Sequence, residues 1–312
     1  MPVDPAQLRM LALVEAHGSL AGAAAELALT PGALTGQVAK AERDWGAPLV
    51  HRSPRGARLT EAGATLARRG REIDESCRLA ELELAGTRAG ARPRLRIGSF
   101  VSVATRLLPD AMTALRHRRP DSDLTILEGT SRQLSSRVAD GALDLAVVGT
   151  YDEQVPELPG WLTAIRLLTD PMVVCLPEEH RLARKGVERV RLAQLRGEPW
   201  VAIKAGEAAR EQFDRVSREH DLAPRVQFQT ESYDVAQAMV GTGLGVAVLA
   251  RLAARPTPGA VHRELERPRL HRRLWAVHAQ DTRLTPLVDE LVALLRDVCS
   301  DLQETWQQQG VA

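Results

Sequence analysis

Residues 30–45 read TPGALTGQVAKAERDW, and this stretch determines how the N-terminal part of the chain folds. Thr30 can cap a helix, and Pro31 suits the first helical position. The apolar residues then recur at helical spacing and would share one buried face: Leu34, Val38, Ala41 and Trp45. A step of 100° per residue points the small and basic residues outward: Gly32, Gly36, Ala39, Lys40 and Arg43. The stretch therefore predicts a helix with one packed face and a smooth outer face.

The sequence before this stretch predicts two further helices. Asp4 can cap the first, Pro5 suits its first position, and Gln7 has the spacing of a capping box. Gly18 ends that helix, and Ser19 caps the second. The apolar positions of the second helix fall on one stripe: Leu20, Ala23, Ala24 and Leu27. The second and third helices, joined by a tight turn, form a helical corner of a kind that occurs in many folds.

Residues 47–63, APLVHRSPRGARLTEAG, predict a small β-hairpin, or wing. Pro48 ends the preceding helix, and extended runs at 49–52 and 57–60 flank a Pro-Arg-Gly turn. Thr60 then begins a helix over about residues 61–88. Its apolar positions alternate by four and three, like a short coiled-coil seam: Leu66, Gly70, Ile73, Cys77, Ala80 and Leu84. The alternative is a helix that packs on its own chain.

Composition and charge fit a folded protein of two or three domains. The chain has 312 residues, of which 44% are hydrophobic and 26% charged. Its formal net charge is +1, so the total does not demand a nucleic-acid partner. Residues 50–71 nevertheless carry six arginines against the single acid Glu61, and residues 72–83 reverse the sign. A phosphate backbone responds to such local clusters of charge.

The sequence lacks the patterns of a metal site or a common catalytic centre. Cys77, Cys175 and Cys299 stand far apart in apolar contexts, which predicts reduced packing residues, and the histidines are scattered. No nucleophile elbow, P-loop or paired-histidine zinc motif occurs. GTGLG at 241–245 follows a helical run and precedes a strand, which reverses the dinucleotide-binding order. We therefore expect no catalytic residue, no cofactor and no metal.

Targeting signals are also lacking. The N-terminus has no charged region followed by an apolar core, and no run of eighteen apolar residues occurs. We therefore expect a cytoplasmic protein with no membrane partner.

Short β-rich runs alternate with helical patterns through the rest of the chain. The runs are 94–98, 123–128, 143–148, 172–176, 200–203 and 244–249, and helical patterns such as 105–118 and 131–140 lie between them. This alternation predicts α/β sheets with parallel crossovers. Two such groups suit two lobes around a cleft, in which ligands bind beyond the carboxyl ends of the strands.

Together these motifs resemble one family. GSLAGAAAELALTPGALTGQVAKAERDWGAPLVHRSPRGARLTEAG, residues 18–63, resembles the winged helix-turn-helix of LysR-type transcriptional regulators. LRIGSFVSVATRLLPDAMTALRHRRPDSDLTILEG, GALDLAVVG, DPMVVCLPEEHRLA and MVGTGLGVAVLA resemble the effector-binding domain of that family. The resemblance implies a multidomain protein: an all-α winged helix-turn-helix domain and linker helix, then a two-lobed α/β domain like the periplasmic binding proteins.

The resemblance also implies domain boundaries and partners. The expected domains are a DNA-binding domain at 1–63, a dimerisation helix at 64–90, an effector-binding domain at 94–298 and a tail at 299–312. Lobe I would comprise 94–165 plus 267–298, and lobe II 166–266. The implied partners are double-stranded promoter DNA, a small-molecule effector and further copies of the chain in a homodimer or homotetramer. The resemblance also admits RNA polymerase as a protein partner.

The expected DNA contacts follow from helix-turn-helix geometry, in which the second helix enters the major groove. Bases or phosphates near the helix start would be reached by Thr30, Thr35 and Gln37. Phosphates would be held by Lys40 and Arg43. The wing would contact the backbone or the minor groove through Arg52, Arg55 and Arg58.

The expected effector contacts lie at strand ends, where small hydroxyls and backbone amides can hold a polar or anionic molecule. From lobe I they are Ser99, Phe100, Ser102, Thr130, Ser131, Thr150 and Tyr151. From lobe II they are Ile203, Lys204 and Tyr233. Lys204 favours an anion.

Two alternatives stay open at this point: a small-molecule-binding protein, and an α/β enzyme with an accessory helical domain. The chain also departs from the family pattern. Many members carry Gln and Arg in a Ser-Gln-Pro-Ala-x-Ser-Arg start, whereas this chain has Pro31 and Gly36. Because a bidentate base contact contributes about 1–3 kcal/mol, we expect shape, thymine methyl contacts and dimer spacing to carry more of the specificity.

This expectation predicts how two variants bind target and random DNA. Arg55→Ala should weaken binding to both, because contacts to the phosphate backbone do not themselves carry sequence information. Gln37→Ala should leave part of the discrimination intact. Titrations of both DNAs measure the two effects, and the shape argument is wrong if Gln37→Ala alone abolishes discrimination.

Overall fold

The computed structural model describes residues 4–53, 56–87, 93–151, 155–280 and 286–308. The chain divides into two compact units. One is Met1–Ala91 with Ala139–Ala142, and the other is Arg92–Val138 with Leu143–Ala312. Apart from Ala139–Ala142, the division separates the part with winged-helix patterning from the part that alternates strands and helices.

The N-terminal unit contains the predicted helices and hairpin. Its elements are α1 (Pro5–His17), α2 (Leu20–Glu26), α3 (Pro31–Trp45), β1 (Val50–Ser53), β2 (Gly56–Leu59) and α4 (Glu61–Thr87). The predicted caps are confirmed. The side chain of Asp4 accepts a hydrogen bond from the Ala6 amide, that of Ser19 from the Gly22 amide and that of Thr30 from the Ala33 amide, at 3.0–3.2 Å. Helices α1 and α3 both end at a left-handed glycine, Gly18 and Gly46.

The predicted role of Gln7 in a capping box is wrong. The Gln7 side chain is buried and donates to an Asp44 carboxylate oxygen at 2.8 Å. It also accepts from the Trp45 indole nitrogen at 2.9 Å. Gln7 therefore joins α1 to the end of α3, because a buried amide needs both donor and acceptor partners. Its sequence spacing could not reveal this tertiary role.

The turn end of the wing contacts the turn after α1. Strands β1 and β2 pair antiparallel, from Val50 with Leu59 to Ser53 with Gly56. The Ala57 amide donates to the Gly18 carbonyl at 3.0 Å. Gly56 has a φ of 131°, and a Cβ placed on it would lie 2.5 Å from the same oxygen. Only glycine fits this approach without a shift in backbone.

Helix α4 packs on its own chain along part of the predicted seam. A Cβ on Gly70 would lie 2.2 Å from the Leu8 carbonyl, so the glycine allows α1 and α4 to approach closely. Leu66 packs on the core of the same unit. Cys77 lies exposed on α4, and the prediction that it is a packing residue is wrong for this chain. The alternative of a self-packed helix thus holds for the first turns of α4.

The larger unit is built on an eight-stranded sheet. Its order is β4-β3-β5-β12-β6-β11-β7, with β10 also paired to β6. These strands are β3 (Arg94–Ser99), β4 (Asp123–Glu128), β5 (Leu145–Tyr151), β6 (Leu162–Pro177), β7 (Arg189–Arg191), β10 (Ala247–Ala250), β11 (Ala260–Arg267) and β12 (His271–Ala279). A separate parallel pair joins β8 (Pro199–Ile203) and β9 (Arg225–Thr230).

Strand β6 connects the two lobes. It pairs with β12 through residues 162–171 and with β10 and β11 through residues 172–177. The predicted run 172–176 is only its last part, and the boundary expected after residue 165 falls inside it. Strands β3, β4 and β5 are parallel as predicted, whereas β12 runs antiparallel to both β5 and β6.

Helices cover this sheet. They are α5 (Val101–Arg106), α6 (Leu108–Arg118), α7 (Ser131–Ala139), α8 (Ala208–Glu219), α9 (Tyr233–Gly241) and α10 (Pro286–Gln308). The helical pattern predicted over 105–118 is divided between α5 and α6. Helix α10 continues past residue 298, with Cys299 and Trp306 in the core of lobe I, so the region expected to form a tail begins inside a helix.

Two glycine substitutions in the N-terminal unit should have opposite effects on stability. Gly70→Ala should lower the free energy of unfolding by about 1–3 kcal/mol, because the added Cβ meets the α1 backbone. Gly36→Ala is the matched control: nothing lies within 4 Å of its Cβ position, so it should raise that free energy by about 0.5–1 kcal/mol. Denaturant titrations of the whole chain measure both, and equal effects would contradict the packing described.

Candidate functional site

The outer face of α3 is exposed and nearly free of bulky side chains. Gln37, Lys40 and Arg43 are exposed, and Thr35 is partly buried at its edge. A Cβ on Gly32 or Gly36 would meet no atom within 4 Å. Packing within the protein therefore does not require these glycines, although each weakens an isolated helix.

The inner face of α3 fixes the helix relative to the wing. Leu34, Val38 and Ala41 are completely buried. A carboxylate oxygen of Glu42 accepts hydrogen bonds from the Leu49 and Val50 amides at 2.9 and 3.2 Å. The C-terminal half of α3 thus holds the first residues of the hairpin by charge-assisted hydrogen bonds.

The other predicted DNA contacts lie on the cap and the hairpin. The Thr30 hydroxyl is the N-cap of α3. Arg52 stands on β1 opposite Ala57, and Arg58 is exposed on β2. Arg55 lies outside the described residues.

Charge pairing differs between the two sides of this unit. Arg9 pairs with Asp74, Arg71 with Glu15, and Arg69 with Glu72, all on α1 and α4. Among the residues that the structure describes, Lys40, Arg43 and Arg58 have no carboxylate partner. Unpaired cations on an exposed face are available to an external anion.

The predicted lobe I residues lie at the ends of three strands, and hydrogen bonds hold most of them there. Ser99 is fully buried at the end of β3, and its hydroxyl contacts the Phe100 carbonyl. The Ser131 hydroxyl, after β4, accepts from the Gly149 amide at 2.9 Å. The Thr150 hydroxyl, at the end of β5, accepts from the Trp275 indole nitrogen at 2.9 Å. Thr130 is exposed, and its amide donates to the Gln133 side chain.

A buried ion pair that the sequence did not suggest lies below these strand ends. Arg272 on β12 donates from Nη2 to an Asp170 oxygen on β6 at 2.6 Å and to the Ser102 hydroxyl at 3.0 Å. Its guanidinium carbon lies 4.7 Å from the centre of the Phe100 ring. Arg272 is 3% exposed and Asp170 is completely buried. The pair therefore connects Phe100 and Ser102 to the strand that links the lobes.

Burial and the attraction between the two charges shift the pKa of both Asp170 and Arg272. Loss of solvent raises the pKa of the Asp170 carboxyl, although Arg272 and the Leu252 amide, which donates to it at 3.0 Å, oppose the shift. Burial alone would lower the pKa of Arg272, but the Asp170 charge raises it overall. Arg272 thus stays charged in the interior and compensates Asp170.

Tyrosine hydroxyls meet across the lobes. The Tyr151 oxygen at the end of β5 lies 3.3 Å from the Tyr233 oxygen at the start of α9. Burial raises the pKa of Tyr233 well above its ordinary value, and Tyr151 adds to the shift. The Tyr233 phenol therefore remains neutral near neutral pH.

The remaining lobe II residues differ in their surroundings. Ile203 and Tyr233 line a cavity of about 20 Å³ beside Trp200 and Phe213, with room for little more than one water molecule. The Lys204 ammonium lies 2.5 Å from a Glu231 oxygen, and this hydrogen bond raises its pKa. Glu231 offsets the positive charge on which the expectation of an anion rested.

Three further features of the sequence can be located in the structure. The segment 241–245 joins α9 to β10, helix before strand as predicted, and a Cβ on Gly245 would lie 2.6 Å from the Pro199 carbonyl. Burial raises the pKa of the Cys175 and Cys299 thiols to about 12. Within the described ranges no cluster of three His, Cys, Asp or Glu side chains could hold a metal. No described helix is long and apolar enough to cross a bilayer.

Sequence reasoning missed Asp170 and Arg272, although each carries a local signal. Both are charged residues inside apolar, β-rich runs, LLTDPMVVCL and HRRLWAV. A charge at such a position is seldom buried without a partner of opposite sign. Their separation of 102 residues conceals which partner each has.

Comparison with known proteins identifies the class. The family model described as "Bacterial regulatory helix-turn-helix protein, lysR family" matches residues 5–64, and "LysR substrate binding domain" matches residues 88–300. The transcriptional regulator CbbR of Xanthobacter flavus is 30% identical over 294 residues, covering 93% of this chain and 86% of CbbR. A probable RuBisCO transcriptional regulator of Emiliania huxleyi is 28% identical, covering 88% and 84%.

Solved structures share the fold. HinK, a LysR family transcriptional regulator from Pseudomonas aeruginosa, matches with a TM-score of 0.59 at 24% identity, over 96% of this chain and all of HinK. Full-length CbnR in complex with its target DNA matches with a TM-score of 0.54 at 20% identity, over 95% of this chain and all of CbnR.

The chain belongs to the LysR family of transcriptional regulators. It is a DNA-binding transcriptional regulator whose activity is modulated by an effector. The resemblance and the fold class expected from the sequence are thereby confirmed, and the α/β enzyme alternative is set aside because the relatives are regulators.

The buried ion pair predicts a non-additive response to mutation. Asp170→Leu alone should lower the free energy of unfolding by about 3–5 kcal/mol, because it leaves the Arg272 charge buried without compensation. Asp170→Leu combined with Arg272→Met should recover much of that loss, since no buried charge remains. Denaturant titrations of the single and double variants provide the comparison, and additive losses would show that the two charges are not coupled.

Proposed function

We propose that α3 enters the major groove of promoter DNA and that the wing holds the flanking backbone. Lys40, Arg43, Arg52, Arg55 and Arg58 contact phosphate or the minor groove. Thr30, Thr35 and Gln37 lie near base edges at the start of the helix. The observation that supports this most is the charge on the exposed face of α3 and β2. Lys40, Arg43 and Arg58 have no carboxylate partner among the described residues, whereas Arg9, Arg69 and Arg71 on α1 and α4 are paired.

The exposed glycines support the same assignment. Gly32 and Gly36 have open space where a side chain would stand, so the α3 backbone can approach a surface closely. A major groove about 12 Å wide accepts a helix of this shape. Specificity then depends on fit, thymine methyl contacts and DNA shape as well as on Gln37.

We propose that the effector binds at the strand ends of the two lobes. Ser99, Phe100, Ser102, Thr130, Ser131, Thr150 and Tyr151 supply the lobe I side, and Ile203, Lys204 and Tyr233 the lobe II side. The Tyr151–Tyr233 contact supports this arrangement, because it brings residues expected from both lobes together. An effector that favours one arrangement of the lobes shifts the population of DNA-binding states.

Further partners belong to the same proposal. The chain acts as a homodimer or homotetramer, with the outer part of α4 as the dimerisation helix, and works with RNA polymerase at the promoter. Exposure of Cys77, a predicted seam residue, supports a partner surface on that part of α4.

Salt-dependent DNA binding tests the DNA proposal. The purified protein should shift DNA from upstream of its own gene, with an affinity that falls steeply between two salt concentrations. Lys40→Ala should weaken binding to specific and random DNA alike and lower the slope of log affinity against log salt by about 1. Arg225→Ala, which removes an exposed arginine from β9 of the other unit, is the matched control.

Two results would count against this proposal. An affinity that is insensitive to salt would exclude phosphate contacts as its main source. An equal loss from Lys40→Ala and Arg225→Ala would show that net charge, not the α3 face, controls binding.

A further inference from the structure

We propose that a cavity at the hinge between the lobes is a second small-molecule site, separate from the proposed effector site, and that it takes an anion with a small apolar body. The hinge is the crossing of residues 170–172 on β6 with residues 270–272, where the chain passes between the lobes. The hinge cavity has a volume of about 240 Å³. Its described lining contains none of the residues proposed for the effector, so this inference goes beyond the proposed function.

The hinge cavity and the buried ion pair lie on opposite faces of the same two strands. Side chains alternate along a strand, so Thr169 and Pro171 face away from Asp170. In the ladder His271 pairs with Pro171, and Arg272 pairs with Asp170, so the same alternation holds on β12. Thr169, Pro171 and His271 line the hinge cavity. The ion pair extends from the other face toward the proposed effector site.

The floor of the hinge cavity is apolar. Met172, Leu265 and Leu270 line it and are buried, and the Pro171 ring stands beside them. An apolar cavity of about 150 Å³ can bind benzene, so this cavity accepts a body of roughly ten non-hydrogen atoms. Removal of such a body from water onto these side chains provides affinity.

Charged side chains form the opening of the hinge cavity, and their balance is positive. Arg189 and Arg269 line it and are exposed. Two acids also line it, and each pairs with an arginine from outside the cavity: Glu264 with Arg251, and Glu266 with Arg191. In this group four arginines outnumber two acids. The local field therefore favours an anionic ligand over a neutral or cationic one.

Two buried side chains connect the hinge cavity to the interior of lobe II. The Met172 amide donates to the Leu270 carbonyl at 2.9 Å, and both side chains line the hinge cavity. The same two side chains also line the small cavity beside Trp200, to which Ile203 and Tyr233 of the proposed effector site contribute. A ligand in the hinge cavity thus contacts side chains that separate it from that inner cavity.

The position of the hinge cavity gives its ligand a regulatory role. One wall comes from Thr169 and His271, where β6 pairs with β12, and another from Arg189 and Leu265 of lobe II. A rotation of the lobes about the hinge changes the separation of these walls. A ligand between them therefore binds one arrangement of the lobes more tightly than another, which is the requirement for coupling to a second site.

Methionine methyl signals can report occupancy of the hinge cavity. The chain has five methionines, of which Met172 is the one in the described lining. The probes are benzoate and its neutral isostere benzamide, titrated into the whole protein carrying ¹³C-labelled methionine methyl groups. Benzoate should shift the Met172 signal, assigned with Met172→Leu, at about fivefold lower concentration than benzamide, because only benzoate is attracted by the arginines.

Two variants locate the binding. Thr169→Phe places a ring in the hinge cavity and should abolish the shift of the Met172 signal. Arg269→Gln should weaken benzoate by about threefold and leave benzamide unchanged, because it removes one exposed charge. Arg184→Gln, which removes an exposed arginine outside the described lining, is the matched control. If Thr169→Phe does not fold, the contrast between Arg269→Gln and Arg184→Gln still tests the site.

Four results would overturn the proposed site: no shift of the Met172 signal, equal affinity for benzoate and benzamide, a shift that survives in folded Thr169→Phe, or equal losses from the two arginine variants. A shift that survives Thr169→Phe would place benzoate elsewhere in the protein.

The regulatory role has a separate readout, which is the affinity for DNA from upstream of the gene. The ring added by Thr169→Phe occupies the space of the ligand, so the variant should change this affinity in the same direction as saturating benzoate does in the wild type. Changes in opposite directions, or no effect of bound benzoate, would refute the coupling. The methionine signals do not depend on DNA, so a protein that binds benzoate but not DNA refutes the proposed function and leaves the hinge site in place.

Discussion

The buried contact between Asp170 and Arg272 is the constraint on which the larger unit depends. Strand β6 and the segment that leads into β12 pass between the lobes at adjacent positions, and the two charges pair across that crossing. Buried charges are tolerated only when hydrogen bonds satisfy them, and Ser102 and the Leu252 amide complete the set. The ion pair therefore lies where the lobes connect. A change in the arrangement of the lobes either preserves this pair or breaks it.

In the N-terminal unit the charges lie on the surface. Arg9 with Asp74 and Arg71 with Glu15 pair across α1 and α4, while Lys40, Arg43 and Arg58 on α3 and β2 have no carboxylate partner among the described residues. In the proposed DNA-binding mode, the cations provide affinity for phosphate, which carries little sequence information. The glycine-rich face of α3 contributes shape in the same proposal, so the two contributions come from different residues of one small unit.

Local signals predicted more of the fold than of the site. Asp4, Ser19 and Thr30 were recognisable as caps because a cap acts within three residues. The buried face of α3 followed from periodicity. Gln7 was assigned wrongly because Asp44 and Trp45, its actual partners, are far away in sequence. The pairing of Asp170 with Arg272 depends on the register of two strands, which composition and spacing do not contain.

The close approach of Gly56 to Gly18 restricts the geometry of the N-terminal unit. The wing is attached to the end of α1 by backbone atoms, and α1 is joined to α3 through Gln7. These contacts thus fix the distance between α3 and the hairpin. In the proposed DNA-binding mode, changes to the arginines alter the affinity for DNA, whereas the length of duplex that α3 and the wing contact together stays the same.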